Sequence, residues 1–291
     1  MNNHTKGLPY TGSKYKLLDQ LLPLFSENIE NFIEPFLGGC NIAQNIKAEK
    51  YFLNDKLGKL VFLYHIFKCY DPKSIIDKIE SKISYYSLNK SNKESYLYFR
   101  EQYNLFPNNS YSSSIELLIL LYFFFSNHIR FNNKRKFNVP FGQREFHEQH
   151  KRNLIKLINF FQYKKQDIFL TGFLFNDFLK NILKSSDINK EKSFIYLDPP
   201  YFNTTATYNE NNWNIKDEEK LMDYIEKIIK LNIKFGLSNV FKNNEPISEP
   251  LKDLLNKYSD ILKVHFLDKN YSNCNYQRKE NKLQEIFICN Y

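Results

Sequence analysis

The run Ser193-Phe194-Ile195-Tyr196-Leu197-Asp198-Pro199-Pro200-Tyr201 constrains this chain more than any other stretch. Four apolar, β-favouring residues in a row suit the interior of a parallel sheet, where a strand is covered on both faces. Two consecutive prolines then end the ladder, since neither has an N–H to donate and both fix φ near about −65°. Asp198 and Tyr201 are thereby placed at the carboxyl end of a strand, where open α/β sheets bind their ligands. A carboxylate, the Pro199 carbonyl and an aromatic face suit a weakly nucleophilic exocyclic amine. Its lone pair is drawn into its ring, acceptors for its N–H groups return it toward sp3, and the tyrosine offers a stacking surface. A strand closed by an Asp-Pro turn also occurs in enzymes of every kind, so the remaining motifs have to carry the choice.

At 291 residues the chain is long enough for one large domain, or a core domain with an insertion. Its 41 Lys and Arg against 32 Asp and Glu give a net charge of +9, which favours a polyanionic partner. Aromatic residues make up 17%, more than a core alone requires, and a basic, tyrosine-rich surface suits stacking on bases. Cys40, Cys69, Cys274 and Cys289 include no C-x-x-C pair, so neither a zinc site nor a disulfide framework is expected, and a reducing cytoplasm is the expected location. The N-terminus lacks a signal-peptide apolar stretch, and the longest apolar run, Leu117 to Phe125, is too short to cross a bilayer of about 30 Å. No membrane or metal is therefore expected as a partner.

Taken in order, Tyr10-Thr11-Gly12-Ser13-Lys14 precedes a helix with apolar positions at Leu17, Leu18, Leu21, Leu22 and Phe25, for which Ser13 is the expected N-cap. A lysine in a first turn opposes the helix dipole, so Lys14 reads either as a solvated side chain or as one that meets an anion such as a cofactor carboxylate. Phe32-Ile33-Glu34-Pro35-Phe36-Leu37-Gly38-Gly39-Cys40, followed by the strand Tyr51-Phe52-Leu53 and Asn54-Asp55, has the order strand, glycine turn, helix, strand, acid. That is the order of a nucleotide-binding βαβ half, with the acid reaching ribose hydroxyls. From about 58 to 165 the chain turns helical, aromatic and basic. Ile75–Tyr86 and Ile115–Phe125 read as helices, Asn108 to Ser114 as a loop, and Arg130, Lys134, Arg135, Lys136 and Arg144 cluster among phenylalanines around a turn at Asn132-Asn133. The α/β pattern then resumes with Ile168-Phe169-Leu170, a helix entered at Phe175, the central strand, a polar loop from Thr204 to Asn212 and Trp213. A strand from Lys234 to Asn239 and an alternating terminal strand within Lys282–Tyr291 complete it, the latter preceded by the basic turn Gln277-Arg278-Lys279.

These motifs together resemble the Dam-type DNA adenine-N6 methyltransferases, and their bacteriophage branch more than the enterobacterial one. The resemblance covers nearly the whole chain, including Phe125 to Asn132, Phe137 to Arg144 and Phe235-Gly236-Leu237-Ser238-Asn239, in the order that family calls alpha. It implies a Rossmann-like α/β sheet of residues 1–57 and 166–291 with a helical target-recognition insertion at 58–165. It also implies S-adenosylmethionine as methyl donor and an adenine flipped out of duplex DNA, with GATC as the target typical of the family. By the same resemblance Tyr10 and Lys14 line the methionine end, Glu34, Phe36 and Gly38 form the cofactor turn, Asp55 binds the ribose, and Phe175 with Asp177 flank the cofactor adenine. Asp198, with the Pro199 carbonyl and the stiffening Pro200, accepts the target amine and borders the cofactor, while Tyr201 stacks on the base. Arg100 touches phosphate; Ser126, Asn127, His128, Arg130, Asn132, Pro140 and Arg144 face the target. Monomeric action, with or without a restriction endonuclease beside it, follows the family.

Cys40 stands where the family's Phe-x-Gly-x-Gly pattern has its last glycine, which implies altered packing with binding kept. Ser126-Asn127-His128 departs from the Asn-Gly-Leu form of enterobacterial relatives. The same amine chemistry would serve cytosine N4, an RNA adenine or a protein amide. Loss of cofactor binding through Cys40 would leave a silent DNA-binding protein.

Overall fold

The computed structural model describes residues 4–105, 109–165, 167–202, 213–242, 245–246, 248–268 and 283–291. Its centre is a sheet built from β1 (Asn31–Glu34), β2 (Lys50–Asn54), β3 (Ile168–Thr171), β4 (Ser193–Leu197), β5 (Lys234–Lys242), β7 (Lys263–Leu267) and β8 (Leu283–Cys289). The spatial order is β3-β2-β1-β4-β5-β8-β7, and the two-residue β6 (Glu245–Pro246) pairs with β5. β1 pairs in parallel with β2 and β4, β2 with β3, and β4 with β5. β8 runs antiparallel to both β5 and β7, and the short β6 runs antiparallel to β5. Strand order turns around between β1 and β4, so the carboxyl ends of those two strands bound the crevice where such a sheet binds ligands.

The two faces of the sheet differ in chemistry. Phe32, Tyr51, Phe194, Tyr196 and Phe287 pack to one side, together with Phe25. Ile33, Ile195, Leu197, Leu237, Ile286 and Ile288 pack to the other. This is the period-two alternation of strands covered on both faces. Gly236, on the aromatic side, leaves room for Phe287: a Cβ there would lie 2.3 Å from two atoms of the Phe287 ring. The aliphatic face is covered by α7 (Phe175–Lys184), α8 (Ile215–Lys230) and α9 (Glu249–Lys257).

The chain between β2 and β3 supplies α2 (Gly58–Cys69), α3 (Pro72–Tyr85), α4 (Lys93–Leu105), α5 (Tyr111–Phe123) and α6 (Glu148–Tyr163). Their apolar side chains merge with the aromatic face of the sheet into one continuous core. Thus the expected insertion is helical, and it shares its interior with the sheet. Among the described residues no helix is long and apolar enough to cross a membrane.

Several local expectations are corrected. The first helix is only one α turn, α1 (Leu18–Leu21), between 3-10 turns at Tyr15–Leu17 and Leu22–Leu24, because Pro23 removes a backbone donor. The N-cap position of the leading 3-10 turn is Lys14, and that of α1 is Leu17; the Ser13 hydroxyl accepts from the Tyr15 N–H at 3.3 Å. The crossover from β1 to β2 contains a single 3-10 turn, Ala43–Asn45, in place of the expected helix. Within 108–114 the loop gives way at Tyr111 to α5, whose start is fixed by reciprocal bonds between Ser110 and Ser113. α5 stops at Phe123; Phe124 is extended and bridges Phe141, and the Phe125 N–H donates to the Pro140 carbonyl at 2.9 Å. The last strand does not alternate: Glu285 through Cys289 are all buried, because β8 is an interior strand. The readings at Thr204–Asn212, Cys274 and Gln277–Lys279 lie outside the described residues.

Candidate active site

The carboxyl ends of β1, β2 and β4 bring four of the expected acidic and basic groups together. Lys14 is 3% exposed, and its Nζ lies 2.7 Å from Asp198 Oδ1 and 2.9 Å from Oδ2, with the Gly12 carbonyl at 3.1 Å. The solvated alternative for Lys14 is therefore excluded. Burial alone would push this ammonium toward neutrality, but the carboxylates of Asp198 and Glu285 raise its pKa above the ordinary lysine value. The same nitrogen stands 4.9 Å from the centre of the Tyr201 ring, a cation–π distance. Tyr201 follows the rigid Pro199-Pro200 pair, and its hydroxyl donates to Glu285 Oε2 at 2.7 Å.

Glu34, the last residue of β1, is 2% exposed. Burial, and secondarily the charge of Asp198, pushes its pKa well above the carboxylate range, while the Ala43 backbone N–H opposes the shift. Its Oε2 is buried with no hydrogen-bond partner. An orphaned acceptor in this position calls for a donor from a ligand, and the ammonium or hydroxyl groups of S-adenosylmethionine fit that need.

The glycine turn beside it is held from three sides. Asp55 Oδ2 accepts from the Gly38 N–H at 2.9 Å, its Oδ1 accepts from the Leu57 N–H at 2.8 Å, and the Tyr64 hydroxyl donates to the Gly38 carbonyl at 2.6 Å. Gly38 has φ +49, which favours glycine, and a Cβ on it would lie 3.1 Å from the Tyr10 ring and press against it. Burial raises the Asp55 pKa against the two backbone N–H bonds. Asp55 therefore shapes the glycine turn. Cys40 also has a positive φ, 59°, and is fully buried: the backbone keeps the left-handed conformation of the missing glycine, and the thiol packs into the core.

Asn54 ties these elements together. Its amide donates to the carbonyls of Pro35 and Phe173 at 3.0 and 3.1 Å, and its oxygen accepts from Thr171 Oγ1 and the Phe173 N–H at 2.8 and 2.9 Å. Phe36 and Phe175 meet with ring centres 5.5 Å apart, and Trp213 lies 5.8 and 5.2 Å from them. The indole donates at 2.7 Å to Glu218, which also accepts from Ser248 at 2.9 Å. Asp177, by contrast, is exposed on the first turn of α7.

The residues expected to face DNA occupy α4 and the hairpin after α5, which is closed by two isolated bridges, Phe124 to Phe141 and Phe131 to Phe137. Several of them serve that hairpin's own structure. Arg100 donates to the Val139 carbonyl at 3.3 Å and to Glu101 at 3.2 Å, and Arg130 donates to the side-chain and backbone oxygens of Asn138 at 2.9 and 3.3 Å. The Asn132 side-chain oxygen Oδ1 accepts from the N–H groups of Lys134 and Lys136, both at 3.0 Å, which makes it the turn former. Ser126 and Asn127 both have positive φ, 67° and 58°. Arg144 donates to Asn127 from an exposed position, Pro140 is exposed, and His128 is half-buried.

Sequence reasoning missed roles for Tyr64, Trp213 and Glu285. For Glu285 a signal was present, a single charge opening the otherwise apolar run that ends at Cys289. Tyr64 offered none, being one aromatic among many.

Comparison with known proteins places this geometry. The model of the D12 class N6 adenine-specific DNA methyltransferase family matches residues 10–272. The chain is 38% identical over 291 residues to the modification methylase StsI of Streptococcus sanguinis, covering 98% of this chain and 42% of that protein. It is 32% identical over 298 residues to the type II methyltransferase M.FokI of Planomicrobium okeanokoites, covering 100% of this chain and 43% of that one. A DNA adenine methylase of Haemophilus influenzae is 30% identical over 233 residues, 78% of this chain and 76% of that protein. The chain thus spans less than half the length of the first two relatives. The matched stretch begins at Tyr10 and takes in the glycine turn, Asp55, the helical insertion and the Asp-Pro-Pro-Tyr end of β4, and on that match the chain belongs to the D12 class N6 adenine-specific DNA methyltransferases.

Proposed function

We propose that this chain transfers a methyl group from S-adenosylmethionine to the N6 amine of an adenine flipped out of duplex DNA, with GATC as the target sequence. One observation supports this reading most: the Asp198 carboxylate, the Tyr201 ring and the Lys14 ammonium meet at the end of β4, next to the orphaned Glu34 oxygen and the glycine turn. The family generally uses S-adenosylmethionine, which when bound supplies an electrophilic methyl group.

In this reading Glu34, Lys14 and Tyr10 hold the methionine end, with Lys14 between the cofactor carboxylate and Asp198. Asp55 takes the ribose, and Phe36, Phe175 and Trp213 form an apolar wall for the cofactor adenine. Asp198 and the Pro199 carbonyl accept the two N–H groups of the target amine, which frees its lone pair for attack, and Tyr201 stacks on the base. Since Lys14 contacts both Asp198 oxygens, it has to yield one of them to the incoming amine. Transfer is direct, without a covalent enzyme intermediate, and its rate comes from positioning and from electrostatic acceptance. Residues 58–165 form the target-recognition region, with Arg144, Ser126, Asn127 and Pro140 toward the bases and the exposed cations Lys134, Arg135 and Lys136 toward phosphates. An endonuclease counterpart is part of this reading, because two of the relatives are named modification methylase or type II methyltransferase.

The test is transfer of labelled methyl from S-adenosylmethionine to two duplexes that differ only in a GATC, followed by nucleoside analysis. N6-methyladenine in the GATC duplex alone is the expected result. Label on cytosine, on RNA or on both duplexes equally would refute the substrate or the specificity.

A further inference from the structure

Glu285 opens the buried run of β8 and lies beyond the residues matched by the family model. It is 1% exposed, opposite Val240 of β5 and Leu267 of β7. A carboxylate in an interior strand carries a large desolvation penalty, and packing alone would be better served by an apolar side chain. What distinguishes the position is its contact. The Tyr201 hydroxyl donates to Glu285 Oε2 at 2.7 Å, while the Lys14 ammonium stands 4.9 Å from the ring centre of the same tyrosine. Three distant parts of the chain therefore converge on one ring: the N-terminal segment, the end of β4 and the last strand.

We propose that Glu285 is a positioning residue that fixes Tyr201 for the target base. The inference rests on the reading above, in which Tyr201 stacks on that base. A phenol tethered at its hydroxyl is held in one orientation, so the stacking surface is ordered before DNA arrives and its ordering cost is not charged to base binding. A carboxylate is the stronger acceptor for this tether, and its charge also adds to that of Asp198 in balancing Lys14. Glu285 touches neither substrate nor cofactor in this account; it acts through Tyr201.

A double-mutant cycle tests this, using Tyr201→Phe and Glu285→Leu, the leucine filling the strand without an acceptor. Each single variant is expected to lower kcat/KM for the duplex by about tenfold, and the double variant to be no worse than either, because both remove one contact. Glu285→Gln, which keeps an acceptor, is expected to recover most of the loss, and cofactor affinity by calorimetry to change less than about twofold. Losses that multiply to about a hundredfold, or that appear in cofactor affinity, would overturn the proposal. A second readout does not depend on methyl transfer. In tyrosine-labelled protein the Tyr201 hydroxyl proton, assigned by its absence in Tyr201→Phe, should be protected from exchange in the wild type and in Glu285→Gln and exposed in Glu285→Leu. Protection in a protein that methylates no adenine would keep the tether and remove the proposed function; equal exchange in wild type and Glu285→Leu would remove the tether.

Discussion

At the carboxyl end of the sheet, Lys14, Glu34, Asp55 and Glu285 are each less than a tenth exposed. In the hairpin after α5, Ser126, Asn132, Lys134, Arg135, Lys136 and Arg144 are all exposed. The first set is carried on strand ends and on turns whose backbone groups are themselves bonded, as when Asp55 and Tyr64 grip Gly38. The second hangs on two isolated bridges, and Arg100, Arg130 and Asn132 bond to the chain around it. The over-determined sheet end suits chemistry that depends on ångström placement; the exposed hairpin, whose side chains can adapt, would suit contacts to a long polyanion. Perturbing the first region should therefore damage stability and rate together, and perturbing the second should alter DNA affinity and specificity alone.

The largest effect should come from Lys14→Met, which leaves the Asp198 carboxylate without its cation in a site that is largely dry. Breaking such a pair costs about 3–5 kcal/mol, and denaturant unfolding should show a loss of that order, with methyl transfer lost too. A variant as stable as the wild type would break the contrast at its strongest point. Next is Gly236→Ala, which sets a methyl group against the buried Phe287 ring and should cost about 1–3 kcal/mol by the same measurement.

Glu34 adds a pH signature to the rigid region. Burial raises its folded pKa well above the ordinary 4.5, so the folded chain keeps a proton that the unfolded chain has released. The stability from that proton is full below the ordinary value and is lost as pH rises through the raised one. Glu34→Gln should flatten the fall of Tm as pH rises above the ordinary carboxylate value, and saturating cofactor should do so in the wild type; parallel Tm curves for variant and wild type would contradict this. The smallest stability change belongs to the hairpin. Arg144→Ala should leave Tm within the range of ordinary surface substitutions, about 0.5 kcal/mol, while relaxing discrimination at one base position by about 1–3 kcal/mol in competition binding. Uniform weakening across all sequences, with a shallower salt dependence, would assign Arg144 to phosphate.

Much of the rigid region was legible because its residues are type-restricted. Glycine suits the positive φ of Gly38, two prolines end β4 abruptly, and a lone acid at the end of a short apolar strand is conspicuous. What remained hidden were relations between distant segments. Lys14 looked solvated by local criteria, and its partner is 184 residues away. Glu285 looked like one position of an alternating terminal strand until β8 proved to lie between β5 and β7. Local breaks were hidden differently: apolar spacing announced a helix from Leu17 to Phe25, and Pro23 cut it to one turn. In the hairpin the residue types were readable, but which arginines serve the loop itself depends on where Asn138 and the Val139 carbonyl point.

The central claim is that Asp198 accepts the target amine in the reaction and has little part in holding DNA. The most direct test is Asp198→Ala, measured in parallel for single-turnover methyl transfer and for affinity to the same duplex at fixed salt. The account predicts transfer reduced by about a thousandfold with duplex affinity within about threefold of wild type. Transfer that persists at the wild-type rate, or a loss that is matched by lost DNA binding, would contradict it.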